Sequence, residues 1–277
     1  MIPAGFEYHR PADVESAVSI LQEHGDEARV IAGGHSLIPM MKLRMAEMGH
    51  LIDLQDIEAL KGIEVSGDTV TIGAMVTQHE LITDAGLVQA VPLLREAALL
   101  IADPQVRYVG TVGGNVANGD PGNDMPGLMQ CLDASFELSG PDGVRSVASR
   151  DFYEAAYFTA RDDEEILTRI MIPRPAAGTG YAYEKQKRKI GDYATAAAAV
   201  MIGGGTASVA MTNLADTPIW SSDASAALAS GDVDGCVAAM LGAIDPVEDN
   251  RGPVEFKNHV AAVILRRAIA RAQSRAS

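Results

Sequence analysis

The sequence predicts an α+β protein of about two domains. Three observations carry that expectation. At 277 residues the chain is long for one ordinary domain. A Pro/Gly-rich stretch, Pro173 to Gly180, offers a boundary. Beyond it, three strand-like runs precede three helix-like ones, an α+β order.

The first elements follow from spacing and punctuation. Pro11-Ala12-Asp13 precedes Val14, Ala17, Val18 and Leu21 at helical spacing, and Gly25 closes the segment. Ala28 to Ala32 reads as a strand entering Gly33-Gly34-His35-Ser36, and Leu37 to Met45 as a helix. Leu51 to Leu54 is a second strand. Ile63–Val65 and Thr69–Ile72 form a hairpin across Ser66-Gly67-Asp68. Thr77 with Glu80 three residues on is a capping box. Pro92 opens a helix to Ile101.

Ala102 to Pro126 lacks periodicity and reads as a long irregular loop, a feature more often functional than idle. Ala134–Leu138 and Val144–Val147 flank the turn Pro141-Asp142-Gly143, and Ile166–Ile172 is a strand. After the boundary, Tyr181–Gln186, Thr195–Ile202 and Thr206–Thr212 are antiparallel strands. Helices follow at 221–228, 233–243 and 254–272. The expected domains are 1–176, with subdomains of roughly 1–55 and 56–176, and 177–277.

Composition narrows the chemistry. Apolar residues at 47% and charged residues at 21% describe a globular chain that needs no metal or disulfide staple. The formal charge of −15 repels phosphate backbones and anionic lipid, so no nucleic-acid partner is expected. Two thiols, Cys131 and Cys236, cannot form a four-cysteine zinc or iron–sulfur site. Their scarcity fits a reduced, cytoplasmic protein. Met1 to Tyr8 shows no signal peptide, and no apolar run is long enough to span a membrane.

Familiar catalytic fingerprints are missing. The sequence holds no G-x-G-x-x-G, no Walker loop, no second His completing a zincin helix at His79-Glu80, no G-x-S-x-G and no Cys-x-x-Cys. What remains is a pair of glycine turns. Ala32-Gly33-Gly34-His35-Ser36 follows a strand and precedes a helix, so its backbone N–H groups can form an anion nest with the Ser36 hydroxyl. Thr111-Val112-Gly113-Gly114-Asn115 has the same build. Either alone is more simply a tight turn. Together they suit the two sides of a pyrophosphate.

These residues carry a resemblance. Ala32 to Leu37 and Thr111 to Asn115 resemble the FAD-binding motifs of the molybdenum hydroxylase flavoproteins. Three longer runs are similar to the medium-subunit family of aerobic carbon monoxide dehydrogenases: Ile101 to Arg107, Asn118 to Asp124, and Tyr183 to Thr195. The likeness runs the length of the chain. It implies a two-subdomain FAD-binding domain of the vanillyl-alcohol-oxidase type, followed by a small domain with a three-stranded sheet and helices. It also implies non-covalent FAD here, a molybdenum cofactor in a large partner subunit and two [2Fe–2S] clusters in a small one. The expected assembly is a dimer of heterotrimers. Electrons would pass from the clusters to FAD and on to an external acceptor, with quinone the family expectation.

Residue by residue, the resemblance makes Ala32, Gly33, Gly34, His35, Ser36, Thr111, Val112, Gly113, Gly114 and Asn115 pyrophosphate and ribityl contacts, His35 through its backbone only. It puts Asp124 near the adenosine, where an N-cap is the simpler reading. It puts Ile101 and Tyr193 on opposite faces of the isoalloxazine. Lys185 has a separate argument: a cation near N1 stabilises reduced, anionic flavin. A lysine-protected edge strand is the plainer account of Lys185, Lys187 and Lys189, and the last two are expected at the surface or an interface. His9, His50, His79 and His259 carry no expected role, and no metal ligand is expected in this chain. Two other functions remain open on the residues: a related molybdenum hydroxylase acting on a purine, aldehyde or N-heterocycle, and a non-enzymatic anion-binding module.

The last helix stands apart in charge. Lys257, Arg266, Arg267, Arg271 and Arg275 oppose Glu255 alone, so residues 254–277 carry +4 and the rest −19. Two accounts of it stand side by side: the helix dipole with solvation, or docking on the acidic surface of a partner subunit.

Overall fold

A computed structural model describes residues 2–277; Met1, the start of the N-terminal reading above, lies outside the described residues. The first subdomain contains β1 (Glu7–His9), α1 (Val14–His24), β2 (Ala28–Ile31), α2 (Leu37–Lys42) and β3 (His50–Asp53). Its three strands are parallel, with β3 in the centre. Asp13 caps α1 through a 2.7 Å bond from the Ser16 amide, and Gly25 turns the chain out of the helix at φ 50°. Ala17, Val18 and Leu21 on one face of α1 bury against Ala28 and Ile52. The helix α2 stops at Lys42, short of the expected Met45, where Arg44 adopts a positive φ.

The second subdomain opens with the hairpin β4 (Ile63–Ser66) and β5 (Thr69–Gly73). Six short helices follow: α3 (Gln78–Thr83), α4 (Ala85–Ala90), α5 (Pro92–Ala98), α6 (Pro104–Val109), α7 (Val112–Ala117) and α8 (Met125–Cys131). The hairpin β6 (Ser135–Gly140) and β7 (Gly143–Ala148), the small ribbon β8 (Tyr153–Ala155) and β9 (Phe158–Thr159), and β10 (Ile166–Pro173) complete it. The five-stranded antiparallel sheet runs β4-β5-β10-β6-β7. The capping box forms as expected: the Glu80 amide donates to Thr77 Oγ1, and the Thr77 amide to the Glu80 carboxylate.

The expected loop at 102–126 is largely helical. Asp103 caps α6, Pro104 fills its first turn, and Thr111 caps α7. These helices are too short to show periodicity; their caps were the legible signal. The helix expected from Pro92 to Ile101 ends at Ala98, and α4, capped by Asp84, was not anticipated.

The C-terminal domain has β11 (Gly180–Gln186), β12 (Ala196–Gly203), β13 (Thr206–Thr212) and β14 (Ile219–Trp220), then α9 (Ser222–Ala229), α10 (Val233–Ala243) and α11 (Val254–Gln273). The sheet is antiparallel in that order, so a two-residue fourth strand adds to the expected three. It is buried on both faces. Ala182, Ala198, Val200, Val209 and Met211 face the helices; Tyr183, Ala197, Ala199 and Ala210 join the core of the preceding domain. Strand alternation thus welds the two domains across one sheet.

The arginines of α11 correct the docking expectation. Arg275 Nη1 donates to Glu96 at 2.8 Å and to the Tyr181 carbonyl at 2.7 Å. Arg271 binds Glu184 at 2.8 Å and Glu96 at 3.2 Å, and Arg266 pairs with Asp234. Arg271 and Arg275 therefore clamp α11 to α5 within this chain. Glu96 also accepts the Tyr183 amide at 2.7 Å, so one carboxylate serves three donors. Glu96→Gln should lower the unfolding free energy by about 1.5–3 kcal/mol. Arg267→Gln, at an exposed position with no ion pair among the described residues, should change it by less than about 0.5 kcal/mol. Urea unfolding of both variants, read by circular dichroism, checks the contrast.

Candidate functional site

The two glycine segments meet. A Cβ on Gly33 would lie 2.5 Å from the Val109 carbonyl oxygen and 2.8 Å from Gly110 Cα. Gly110 comes close to His35, and Gly114 to Ala32. So the turn after β2 is pressed against the turn between α6 and α7, and only a residue without a side chain allows that approach. Gly34, at φ 69°, sits in the left-handed region.

They do not contribute alike. The amides of Gly33, Gly34, His35 and Ser36 donate to no protein acceptor among the described residues, and Ser36 makes no side-chain cap bond to α2. Four uncommitted donors around a left-handed glycine form an anion nest. The second segment differs from the expected nest. Val112 N donates to Val76 O, Gly113 N to Ala74 O, Gly114 N to Thr111 Oγ1 and Asn115 N to Thr111 O. Its glycines serve packing, since a Cβ on Gly113 would lie 2.5 Å from that of Ala74. What it offers a ligand is the Asn115 side chain, whose Oδ1 is buried without a protein partner.

A second group of polar residues lies where β11 crosses the start of α8. Asp124 Oδ1 accepts the Tyr183 hydroxyl at 2.5 Å, and Oδ2 accepts Lys185 Nζ at 2.7 Å. The Lys185 and Asp124 side chains are 1% and 5% exposed, so this is a buried ion pair. Burial and the Asp124 charge push the Tyr183 phenol well above its usual range, leaving it a neutral donor. The N-cap reading of Asp124 fails, because its side chain bonds no amide of α8. The resemblance put Asp124 near the adenosine and a separate argument put Lys185 near the flavin; in the fold the two side chains are in direct contact.

Lys187 is not simply at the surface. Its ammonium reaches the Leu100 carbonyl at 3.0 Å, while Arg107 Nη1 holds the Ile101 carbonyl at 2.8 Å. The turn they grip includes Ala102 at φ 44°. Burial, then the charges of Lys185 and Arg107, lowers the Lys187 pKa. Lys185, Lys187 and Arg107 therefore gather around this turn, with Asp124 paired to Lys185, in a chain of net charge −15. The run of alternate lysines signalled this cluster, but the part of Arg107 needed the fold. Lys189 is exposed.

Ile101 is buried, 7% exposed, at the end of this gripped turn. Tyr193 is half open, with its hydroxyl on Asp120 at 2.8 Å and its ring against Gly122. Burial and Asp120 raise its pKa, and the Arg251 guanidinium lies 5.6 Å from the ring centroid. Tyr193 thus bridges from the C-terminal domain to the segment between α7 and α8. Cys131 and Cys236 are buried thiols; burial raises them to about 12 and about 11. Two surface cavities, of about 480 and 470 Å³, include neither glycine pair.

The uncommitted amides of Gly33 to Ser36 suit an anion, and Lys185, Lys187 and Arg107 form a cationic group. The fold defines a two-domain protein of the α+β type. Residues 4–175 match the FAD binding domain in molybdopterin dehydrogenase, and residues 181–272 the CO dehydrogenase flavoprotein C-terminal domain. The chain belongs to this family of FAD-binding molybdopterin dehydrogenase components. It is 55% identical to the carbon monoxide dehydrogenase medium chain of Afipia carboxidovorans, over 100% of this chain and 99% of that one. Identity to the medium chain from Hydrogenophaga pseudoflava is 44%, over 99% of each. A solved structure, reconstituted CO dehydrogenase from Oligotropha carboxidovorans, superposes with a TM-score of 0.97 at 55% identity over the whole of both chains.

Two predictions follow from the geometry. Gly33→Ala and Gly113→Ala should each abolish flavin retention, because the added methyl meets backbone or Cβ atoms at 2.5 Å. Gly114→Ala should retain more, since its Cβ meets only the Thr111 hydroxyl at 2.8 Å. The flavin-to-protein absorbance ratio of purified variants checks the order. Lys185→Met strands a buried carboxylate and should cost about 3–5 kcal/mol in urea unfolding, with Lys185→Met/Asp124→Asn recovering much of it.

Proposed function

We propose that the chain is the FAD-binding medium subunit of a carbon monoxide dehydrogenase of the molybdenum hydroxylase type. In this reading it takes electrons from the [2Fe–2S] clusters of a small subunit and delivers them to an external acceptor, with quinone as that acceptor. A large subunit holds the molybdenum cofactor and oxidises carbon monoxide. Two such heterotrimers pair, at the inner side of the cytoplasmic membrane. No helix among the described residues is long and apolar enough to cross a membrane.

The observation that carries the reading is the meeting of Gly33 with Val109 and Gly110, which joins an open amide nest to the second glycine segment. The amides of Gly33 to Ser36 receive the pyrophosphate, and Asn115 receives a ribityl or ribose hydroxyl. Ile101 and Tyr193 flank the isoalloxazine, one aliphatic and one aromatic, and exclude water from it. Asp124, Lys185 and Lys187 lie at this end. Bound FAD supplies reversible one- and two-electron chemistry. The net positive charge of Arg107, Lys185 and Lys187 against Asp124 favours a more negative ligand at that end, hence its reduced form. Full-length identity to carbon monoxide dehydrogenase medium chains supports carbon monoxide over the purine, aldehyde and N-heterocycle alternatives.

The chain co-expressed with its own large and small subunits should purify as a yellow-brown complex that reduces a dye with carbon monoxide. A complex that turns over an aldehyde or purine and not carbon monoxide overturns the substrate. Acid precipitation should release all flavin into the supernatant; flavin in the pellet overturns non-covalent binding.

A further inference from the structure

Three of the chain's six histidines come from distant points in the sequence to one place. His9 ends β1, His24 ends α1, and His50 begins β3. Their nearest ring nitrogens all lie within 4.8 Å of one another. His9 Nε2 is 3.0 Å from His50 Nδ1, and the rings of His24 and His50 stack at 3.6 Å. The Glu7 carboxylate is 3.7 Å from His50 Nδ1, and Glu27 lies beside Gly49. The site belongs to the first subdomain, on strands and a helix rather than on a loop. The flavin reading does not use it.

We propose that His9, His24 and His50, with Glu7, bind one divalent first-row transition metal ion of the zinc class. Neutral imidazole is a ligand of choice for such ions, and three imidazoles with a carboxylate complete a tetrahedral set. A tetrahedral zinc site places its nitrogens roughly 3.3 Å apart, given Zn–N bonds of about 2.0–2.1 Å. The His9–His50 pair, at 3.0 Å, comes close to that spacing. Stacked rings direct their lone pairs side by side, so His24 or His50 turns about χ2, a soft torsion in histidine, to converge on the ion. The C-terminal end of α1 presents carbonyl oxygens and the negative pole of the helix dipole, which favours a cation there. An ion in this place ties β1, α1 and β3 together, and β3 pairs with β2, the strand that leads to the Gly33–Ser36 nest. The role is a brace, with no part in electron transfer.

The test uses the full-length chain, stripped with a chelator and titrated with Zn²⁺ against a chromophoric competitor. One equivalent should bind and raise the melting temperature. His24→Ala and His9→Ala should each weaken binding at least about tenfold while keeping far-UV dichroism and flavin content. Absence of stoichiometric binding, or wild-type affinity in both variants, overturns the site. If a variant loses its fold, Co²⁺ added to the wild-type chain decides. Intense tetrahedral d–d absorption supports the site, and weak octahedral bands overturn it.

Discussion

A carboxylate shut away from water, Asp124, joins the two halves of this molecule. It begins α8 in one domain and is held by Tyr183 and Lys185 from β11 in the other. Burying two opposite charges costs several kcal/mol for each ion unless geometry and further hydrogen bonds offset it. Here the phenol supplies the extra bond. Separating the domains would strand both charges in an apolar seam, so their relative position is tightly specified. The other contacts across the seam, Lys187 on the Leu100 carbonyl and the Tyr193 ring against Gly122, depend on the same relative position.

The sheet gives that pair its setting. Residues 196–199 are four alanines buried on alternating faces of β12. Small side chains bring the core of the first domain close on one face and α11 close on the other. Tyr183 and Lys185 lie two apart on β11, so one strand directs both toward Asp124. The same strand end sends Lys187 to the Leu100 carbonyl. A short stretch of strand therefore sets the electrostatics of this part of the seam.

Charge is spent internally in this acidic chain. The basic residues of α11 look, as sequence, like a surface for an acidic partner. In the fold, Arg271 and Arg275 meet Glu96 and Glu184 across the domain seam. Net charge describes long-range fields, but these contacts are local, and a cation run says nothing about which carboxylates fold to meet it.

The sequence by itself determined the punctuation: the caps at Asp13 and Thr77, the turns at Gly67 and Asp142-Gly143, the break at Pro173 to Gly180, and the β-then-α order beyond it. Each is a local effect, legible because a cap or a turn is settled within four residues. It also marked both glycine pairs and the lysine run. Only the tertiary structure decided that Gly33 abuts Gly110, that the amides of Val112 to Asn115 are already committed, and that Asp124 and Lys185 are partners. It alone gathered His9, His24 and His50. The short helices α6 and α7 escaped the periodic reading because six residues make too few turns to show one apolar face. Contacts between residues far apart in sequence leave no periodic trace; they follow from strand order and close packing, which one chain's pattern does not encode locally.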